Sequence, residues 1–240
     1  MNRYIVLTVL ISVLSVSAVF GQASDILLKV DNTVFSIKDK TADVEMVMVN
    51  LKTNKEKVKK AEFFQKGLDR KLFRYTYPES DKGIATLTIP NQVYLYLPMF
   101  KKPKRITNLA EGNAFNKSDF SLEDMNTKFY SELYTPELLE TNTTNYILKL
   151  APKNEMSYSY LIITVNKSTY CFDKVEFYNI KGEKSKVAVH KYIKIDNSWV
   201  TSSVSMTDLK KNHMTKFIMT NIKINTGLSD DLFTVENMVK

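Results

Sequence analysis

Hydrophobic and polar residues alternate along much of this chain, in short runs rich in β-branched and aromatic side chains. From Asp43 onwards, clusters of Asn, Asp, Gly, Pro and Lys separate the runs, which is typical of β-strands joined by turns. The runs follow one another without the long crossover connections that parallel strands need, so the pattern predicts antiparallel pairing. The predicted strands are Asp43–Asn50, Lys57–Gln65, Leu72–Tyr77, Gly83–Ile89, Gln92–Leu97, Tyr146–Leu150, Tyr158–Val165, Thr169–Tyr178, Ser185–Tyr192, Trp199–Met206 and Thr215–Ile224.

Helical spacing occurs near both ends of the chain. Ser24 or Asp25 can cap a first helix, because both side chains accept hydrogen bonds from the free N–H groups of a first turn. Near the other end, Ser229 and the two aspartates that follow predict a short helical turn. The apolar positions of the first helix form one stripe that is suited to burial: Ile26, Leu27 and Val30.

The stretch from Met99 to Thr144 is too long and irregular for a hairpin loop, and such segments usually contain structure of their own. Asp119 and Ser121 can cap a helix ahead of Leu122, Met125 and Phe129, and Thr135-Pro136-Glu137 is a typical helix start. Three phenylalanines in the stretch indicate that it covers an apolar surface: Phe100, Phe115 and Phe120. A mobile lid and an ordinary helix that plugs the barrel mouth explain the pattern equally well.

Several predicted strands are apolar on both faces, although a half-buried sheet should be polar on one. Val44, Met46 and Met48 alternate with valines, and Tyr94 and Tyr96 alternate with Val, Leu and Leu. One face must therefore meet either a packed helix or a cavity for an apolar ligand, which curved antiparallel sheets can enclose. Ten methionines and thirteen tyrosines suit a pocket for flexible acyl chains, and they suit a core equally.

The first 21 residues read as a signal peptide: Arg3 precedes an apolar stretch that is short for a membrane span. We predict cleavage after Gly21, with Ala23 as second choice, and a single periplasmic domain over residues 22–240. Cys171 is the only cysteine, so no internal disulfide is expected. The net charge of +8 favours anionic partners such as phospholipid headgroups. Export makes nucleic acid an implausible partner. The lysines Lys55, Lys57, Lys59 and Lys60 are explained equally well as a solvated face and as part of a surface for anionic partners.

Catalytic and metal-binding signatures are missing from the sequence. It contains no nucleophile elbow, zinc motif or glycine-rich phosphate loop, so no enzyme activity, metal or cofactor is predicted. The two histidines, His190 and His213, are expected at the surface or rim. Glu123-Asp124 is interpreted as a pair of helix-terminal charges, and Cys171 as a small buried apolar residue.

Two motifs carry a resemblance to a known family. The run Val93–Pro98 followed by Lys101–Ile106 is similar to the tyrosine-leucine-proline strand end and basic run of LolA-like outer membrane lipoprotein-sorting proteins, and Ser118–Met125 resembles their second hallmark. The resemblance implies an α+β, mainly β fold: an incomplete, open antiparallel β-barrel of about eleven strands, with helices over the concave face. It further implies transfer of lipoprotein or phospholipid acyl chains between an inner-membrane transporter, of ABC or RND type, and an outer-membrane acceptor.

Under this reading the chain is a periplasmic carrier that ferries acyl chains toward the outer membrane. Rival hypotheses are a non-catalytic structural or chaperone protein, an accessory protein of an RND-type lipid exporter, and a hydrolase using Glu123 and Asp124. We predict that the following residues face the lipid cavity: Met46, Met48, Tyr94, Tyr96, Tyr160, Ile162, Trp199, Phe115, Phe120 and Met125. A basic cluster is predicted to contact a headgroup or an acidic partner: Lys101, Lys102, Lys104 and Arg105.

Overall fold

A computed structural model describes residues 21–106, 115–121, 123–125 and 128–240. The predicted signal peptide, apart from Gly21, lies outside the described residues, as does Leu122. Within the described part of the chain, no helix is long and apolar enough to cross a membrane.

Thirteen antiparallel strands form one open sheet in the order β6-β5-β4-β3-β2-β1-β13-β12-β11-β10-β9-β8-β7. The first half of the chain supplies β1 to β6 and the second half β7 to β13, and β1 joins the halves by pairing with β13. The bounds are β1 Asp39–Asn50, β2 Lys55–Lys66, β3 Arg70–Tyr77, β4 Ala85–Ile89, β5 Gln92–Tyr96, β6 Lys104–Arg105, β7 Tyr134–Thr141, β8 Asn145–Pro152, β9 Tyr158–Asn166, β10 Phe172–Asn179, β11 Lys184–Ile195, β12 Ser198–Asp208 and β13 His213–Ile224.

The predicted fold class is confirmed: the protein is mainly β, and its sheet does not close, because β6 and β7 are unpaired edges. All eleven predicted strands are present with shifted ends, and β6 and β7 are additional. The helix predicted at Thr135-Pro136-Glu137 is wrong, because this segment pairs with β8 as Tyr134–Thr141. Proline is acceptable there because an edge strand does not need every N–H for pairing.

Antiparallel order gives the sheet two distinct ends. We call the end that carries the β1–β2 connection the upper end; the β3–β4, β5–β6, β8–β9, β10–β11 and β12–β13 connections lie there too. The lower end carries the β2–β3, β4–β5, β7–β8, β9–β10 and β11–β12 connections.

A helix, α1, covers residues 21–34 and packs against the inner face of the sheet. Ala23, Leu27 and Val30 are fully buried there, which confirms the predicted apolar stripe. The predicted cap at Ser24 or Asp25 is wrong, because the helix already includes the residues before them. The carboxylate of Asp31 accepts hydrogen bonds from the N–H groups of Tyr130 and Ser131, both at 2.8 Å, and so joins α1 to the short helix α2, Tyr130–Leu133.

Residues 115–121 and 123–125, which we call the lid segment, cover the same inner face. Phe115–Lys117 forms a 3₁₀ turn, and the Oγ atom of Ser121 accepts a hydrogen bond from the Asp124 N–H at 3.0 Å. The described residues make this single turn rather than the longer helix predicted toward Phe129. Phe115 and Phe120 are buried as predicted, whereas Phe100 is exposed.

The sheet has apolar surfaces on both faces. The inner face, under α1 and the lid segment, holds the main core, with Val44, Leu148 and Ile163 among its buried members. The outer face of β3–β5 holds a second cluster around Leu72 and Leu87. A C-terminal 3₁₀ turn, Asp230–Phe233, starts at the predicted cap Ser229 and inserts Phe233 into this second cluster.

Candidate functional site

An inner cavity of about 260 Å³ lies between α1, α2, the lid segment and residues of β1, β2, β7 and β9–β12. Its apolar lining residues are Val34, Phe35, Ile37, Leu68, Tyr130, Leu133, Tyr134, Met156, Tyr158, Leu161, Phe172 and Phe177. Its polar lining residues are Asp39, Lys40, Gln65, Glu123, Asp124, Lys128, His190 and Thr201. Ligand pockets typically have volumes of about 300–1,000 Å³, so a long acyl chain would need a larger cavity than the structure shows.

None of the ten predicted cavity residues is among the described residues that line this cavity. Met46, Met48, Phe115 and Phe120 are buried in the inner core beside it, and Met125 packs against the same core. The phenylalanines of the lid segment contact the sheet: Phe115 lies 5.7 Å from the Phe73 ring, between ring centroids. These five of the ten predicted cavity residues therefore lie together, but as part of the packed core and not as walls of the cavity.

The other predicted cavity residues lie elsewhere. Tyr94 and Tyr96 belong to the outer cluster, against the C-terminal turns. Trp199, opposite Lys194 at the start of β12, is partly exposed.

Tyr160 and Ile162 face outward, which corrects their predicted orientation. Their neighbours Leu161 and Ile163 occupy the inner core instead. Both faces of β9 are apolar, so the alternation predicted the strand but assigned its faces the wrong way round.

Titratable side chains inside the barrel have shifted pKa values. Burial lowers the pKa of Lys40 to about 8, and burial together with the nearby Lys40 charge lowers that of Lys71 to about 7. The Nζ atom of Lys40 lies 3.9 Å from the Met219 sulfur and 5.3 Å from the Phe63 ring centroid. The sequence analysis missed both lysines, although Lys40 directly precedes the alternating strand pattern.

His190, which was predicted at the surface or rim, is partly exposed and belongs to the cavity wall. It lines the inner cavity, with its ring 4.8 Å from that of Phe172 and 6.2 Å from that of Tyr192, between centroids. Burial lowers the pKa of His190 to about 4, so the imidazole is neutral at pH 7. This part of the cavity wall is therefore aromatic and uncharged at pH 7.

Polar contacts fasten the lid segment to the sheet at several points. The Asp124 carboxylate accepts hydrogen bonds from the Tyr158 hydroxyl at 2.9 Å and from Lys186 Nζ at 3.0 Å. Lys71 Nζ donates to the Met125 carbonyl at 2.7 Å. Glu123 also accepts a hydrogen bond from the Ser157 N–H at 3.3 Å. Glu123 and Asp124 therefore act as anchors of the lid segment rather than as the predicted helix-terminal charges.

An upper groove of about 910 Å³ opens at the upper end of the sheet, lined in part by Met48, Lys117 and His213. Lys55, Lys57 and Lys59 at the start of β2 also line it, together with Glu56 and Val58 between them. Only Lys59 of these lysines has an ion pair among the described residues, with Asp81 at 2.7 Å. The run of lysines was the available signal, and the sequence analysis left open whether it is a solvated face or a surface for anionic partners.

The predicted basic cluster lies at the same upper end. Lys101 and Lys102 follow the turn Pro98–Phe100, and Lys104 and Arg105 form the edge strand β6. All four side chains are exposed, and Lys104 Nζ lies 5.3 Å from the Phe100 ring centroid. The described residues contain no group of three or more His, Cys, Asp or Glu side chains that could hold a metal ion.

Comparison with known proteins agrees with this architecture. A model of a protein family described as "Uncharacterized protein" matches residues 67–240. No curated protein matches the sequence.

Similar solved structures cover nearly the whole chain. An outer membrane lipoprotein-sorting protein domain from Vibrio parahaemolyticus matches with a TM-score of 0.82 and 22% identity, over 92% of this chain and 100% of that one. A DUF1329 family protein from Desulfovibrio piger gives 0.82 and 21%, over 92% and 99%. A LolA superfamily protein from Nitrosomonas europaea gives 0.71 and 21%, over 88% and 97%. These likenesses establish the fold.

Proposed function

Because the chain is LolA-like and belongs to the family whose model matches residues 67–240, we propose that it is a periplasmic carrier of acyl chains. The cargo would be the acyl chains of lipoproteins or lipids, held in the inner cavity and carried toward the outer membrane. The observation that supports this proposal is a cavity whose lining residues are mainly aromatic and aliphatic, beneath a lid segment that polar contacts fasten to the sheet.

No bond needs to be made or broken in this mechanism. Burial of an acyl chain is favourable by ~0.8 kcal/mol per CH₂ group, so a carrier must release its cargo to an acceptor that competes with the cavity. Separation of the Asp124 carboxylate from Tyr158 and Lys186 would widen the cavity during loading and release. An inner-membrane transporter of ABC or RND type would be the donor, and an outer-membrane protein the acceptor.

The basic cluster would contact an anionic headgroup or an acidic surface of one of these partners. Lys101, Lys102, Lys104 and Arg105 are exposed together on one edge of the sheet, where opposite charge is attractive. Their distance from the core means that neutral substitutions should leave the fold intact.

A structural or chaperone role is the second candidate, because Met46, Met48 and Phe115 fill the inner core closely and leave a cavity below the usual ligand size. Native mass spectrometry with lipid extraction, on protein purified after export, separates the two functions. The carrier hypothesis expects acylated species to copurify and a fluorescent fatty-acid probe to bind.

Met156 lines the cavity wall with a flexible side chain. Its replacement by the bulkier indole ring in Met156→Trp should fill the cavity. Ile162→Trp is the matched control on the outer face of β9. Loss of lipid and of probe binding in Met156→Trp alone would support the carrier function. An apo mass for the unaltered protein, with no probe uptake, would instead support the structural role.

A further inference from the structure

Exposed apolar side chains are concentrated at the upper end of the sheet. Met99 and Ile180 are the most exposed large hydrophobic residues of the described chain, at 80% and 79%. In four upper connections such a residue is followed directly by an exposed lysine. The pairs are Leu51-Lys52, Phe100-Lys101, Ile180-Lys181 and Leu209-Lys210.

The lower end provides an internal comparison. Its five connections, all of which the structure describes, contain no exposed large hydrophobic residue. They are built mainly from Asn, Asp, Ser, Thr and Gly, the residues that turns favour. We call the exposed hydrophobic residues of the upper connections the apolar tips. They occur at one end of the sheet and are not a general feature of its hairpin connections.

Positive charge follows the same division. The six upper connections carry eight lysines and four acidic residues, whereas the five lower ones carry one lysine and two aspartates. Basic strand residues border both ends, with Lys55, Lys57, Lys104 and Arg105 at the upper one and Lys66, Arg70, Lys194 and Lys223 at the lower one, so the difference in charge lies in the connections. An anionic surface that approaches this end would meet cations around most of the rim.

We propose that the upper end docks on a bilayer surface that contains anionic lipid. The apolar tips enter the interfacial region, where buried apolar area contributes to binding, and the neighbouring lysines contact lipid phosphates. This inference extends the proposed function by naming a membrane as the surface contacted. It does not depend on occupancy of the inner cavity.

The distribution of the tips favours a membrane over a protein partner. The β5–β6 and β10–β11 connections are eight strand positions apart, on the order of 38 Å when measured along the sheet at about 4.8 Å per strand. Protein interfaces concentrate apolar contacts in one core and are depleted of lysine. Separate apolar tips, each beside a lysine, instead match a fluid surface of headgroups and acyl chains.

Vesicle flotation tests the proposal with full-length protein purified after export. Vesicles of equal parts phosphatidylethanolamine and phosphatidylglycerol should bind the protein, and phosphatidylcholine vesicles should bind it far less. Substitution of Lys52, Lys101, Lys181 or Lys210 by Gln should weaken binding about fivefold for each lysine. The double variant Met99→Ser/Phe100→Ser should weaken it on the order of tenfold.

The double variant Val189→Ser/Ile193→Ser is the control, because it removes two exposed apolar side chains from β11, away from the connections. It should bind vesicles normally. Absence of binding to anionic vesicles, or an equal loss in the control, would overturn the proposal and leave the upper end as a surface for protein partners. Vesicle flotation and uptake of the fatty-acid probe are separate measurements on the unaltered protein, so failure of the cargo hypothesis stays distinguishable from failure of membrane docking.

Discussion

The Nδ1 atom of His213 lies 2.6 Å from Oδ2 of Asp119, and this oxygen also accepts a hydrogen bond from Thr215 Oγ1 at 2.7 Å. Thr215 Oγ1 in turn accepts from the Asp119 N–H at 3.1 Å. Asp119 belongs to the lid segment, and its two partners begin β13. Because the Asp119 side chain is only 3% exposed, one buried carboxylate fixes the lid segment to the joint between the halves of the sheet.

Asp119→Ala should loosen this attachment. It leaves buried Thr215 without its acceptor, which costs about 1–3 kcal/mol of unfolding free energy. Denaturant unfolding gives this loss, and hydrogen exchange should become faster in residues 115–121. Glu79→Ala is the control, since the Glu79 side chain is 86% exposed at the same end. Unchanged exchange in Asp119→Ala would show that the phenylalanines and the contacts of residues 123–125 hold the lid segment without Asp119.

The buried lysines predict a pH dependence of stability. The pKa values of Lys40 and Lys71 are about 8 and 7 in the folded protein, against 10.5 as the ordinary value. Between those values the unfolded chain binds more protons than the folded one, so the free energy of unfolding rises with pH. Urea denaturation at pH 7 and at pH 9 should show greater stability at pH 9.

Lys40→Met separates this effect from other titrations. The substitution keeps a long side chain but removes the charge that burial disfavours, so it should raise stability at pH 7 and reduce the gain toward pH 9. Lys60→Met, which changes an exposed lysine on neighbouring β2, should leave the pH profile unchanged. A steeper profile in Lys40→Met would contradict the assignment.

The orientation of β9 can be tested with two adjacent isoleucines. Ile163 is fully buried in the inner core, whereas Ile162 is partly exposed on the outer face. Ile163→Ala should cost about 2–5 kcal/mol of unfolding free energy because it leaves a cavity, and Ile162→Ala should cost well under half as much. Equal costs in denaturant unfolding would mean that the face assignment is wrong.

These isoleucines also show where sequence patterns stop being informative. Period-two alternation identified β9, but it could not tell the two faces of the strand apart. The outer face is nearly as apolar as the inner one, because it carries Tyr160 stacked on Tyr178 with ring centroids 4.3 Å apart. The covering of Tyr94 and Tyr96 by the C-terminal turn depends on a contact between distant parts of the chain. Thr135-Pro136-Glu137 has local helix signals, and only pairing with β8 makes it a strand.

The candidate site was harder to predict than the fold for the same reason. Lys40 and His190 become cavity residues because the fold brings β1, β11 and the lid segment together, and no local motif records such contacts between distant parts of the chain. The basic cluster, by contrast, lies in consecutive residues next to a turn. Its exposure could therefore be predicted from the sequence alone.

Cys171 provides a last prediction, since it is 1% exposed and burial raises the pKa of its thiol to about 11. The thiolate is the reactive form, so a maleimide at pH 7 should modify the folded protein very slowly and the urea-unfolded protein fully. The variant Cys171→Ser/Ser168→Cys moves the thiol to an exposed position in the same β9–β10 connection and should react quickly while folded. Rapid modification of native Cys171, measured by mass spectrometry, would mean that the β9–β10 connection opens readily, and the thiol could not then be counted as part of the rigid core.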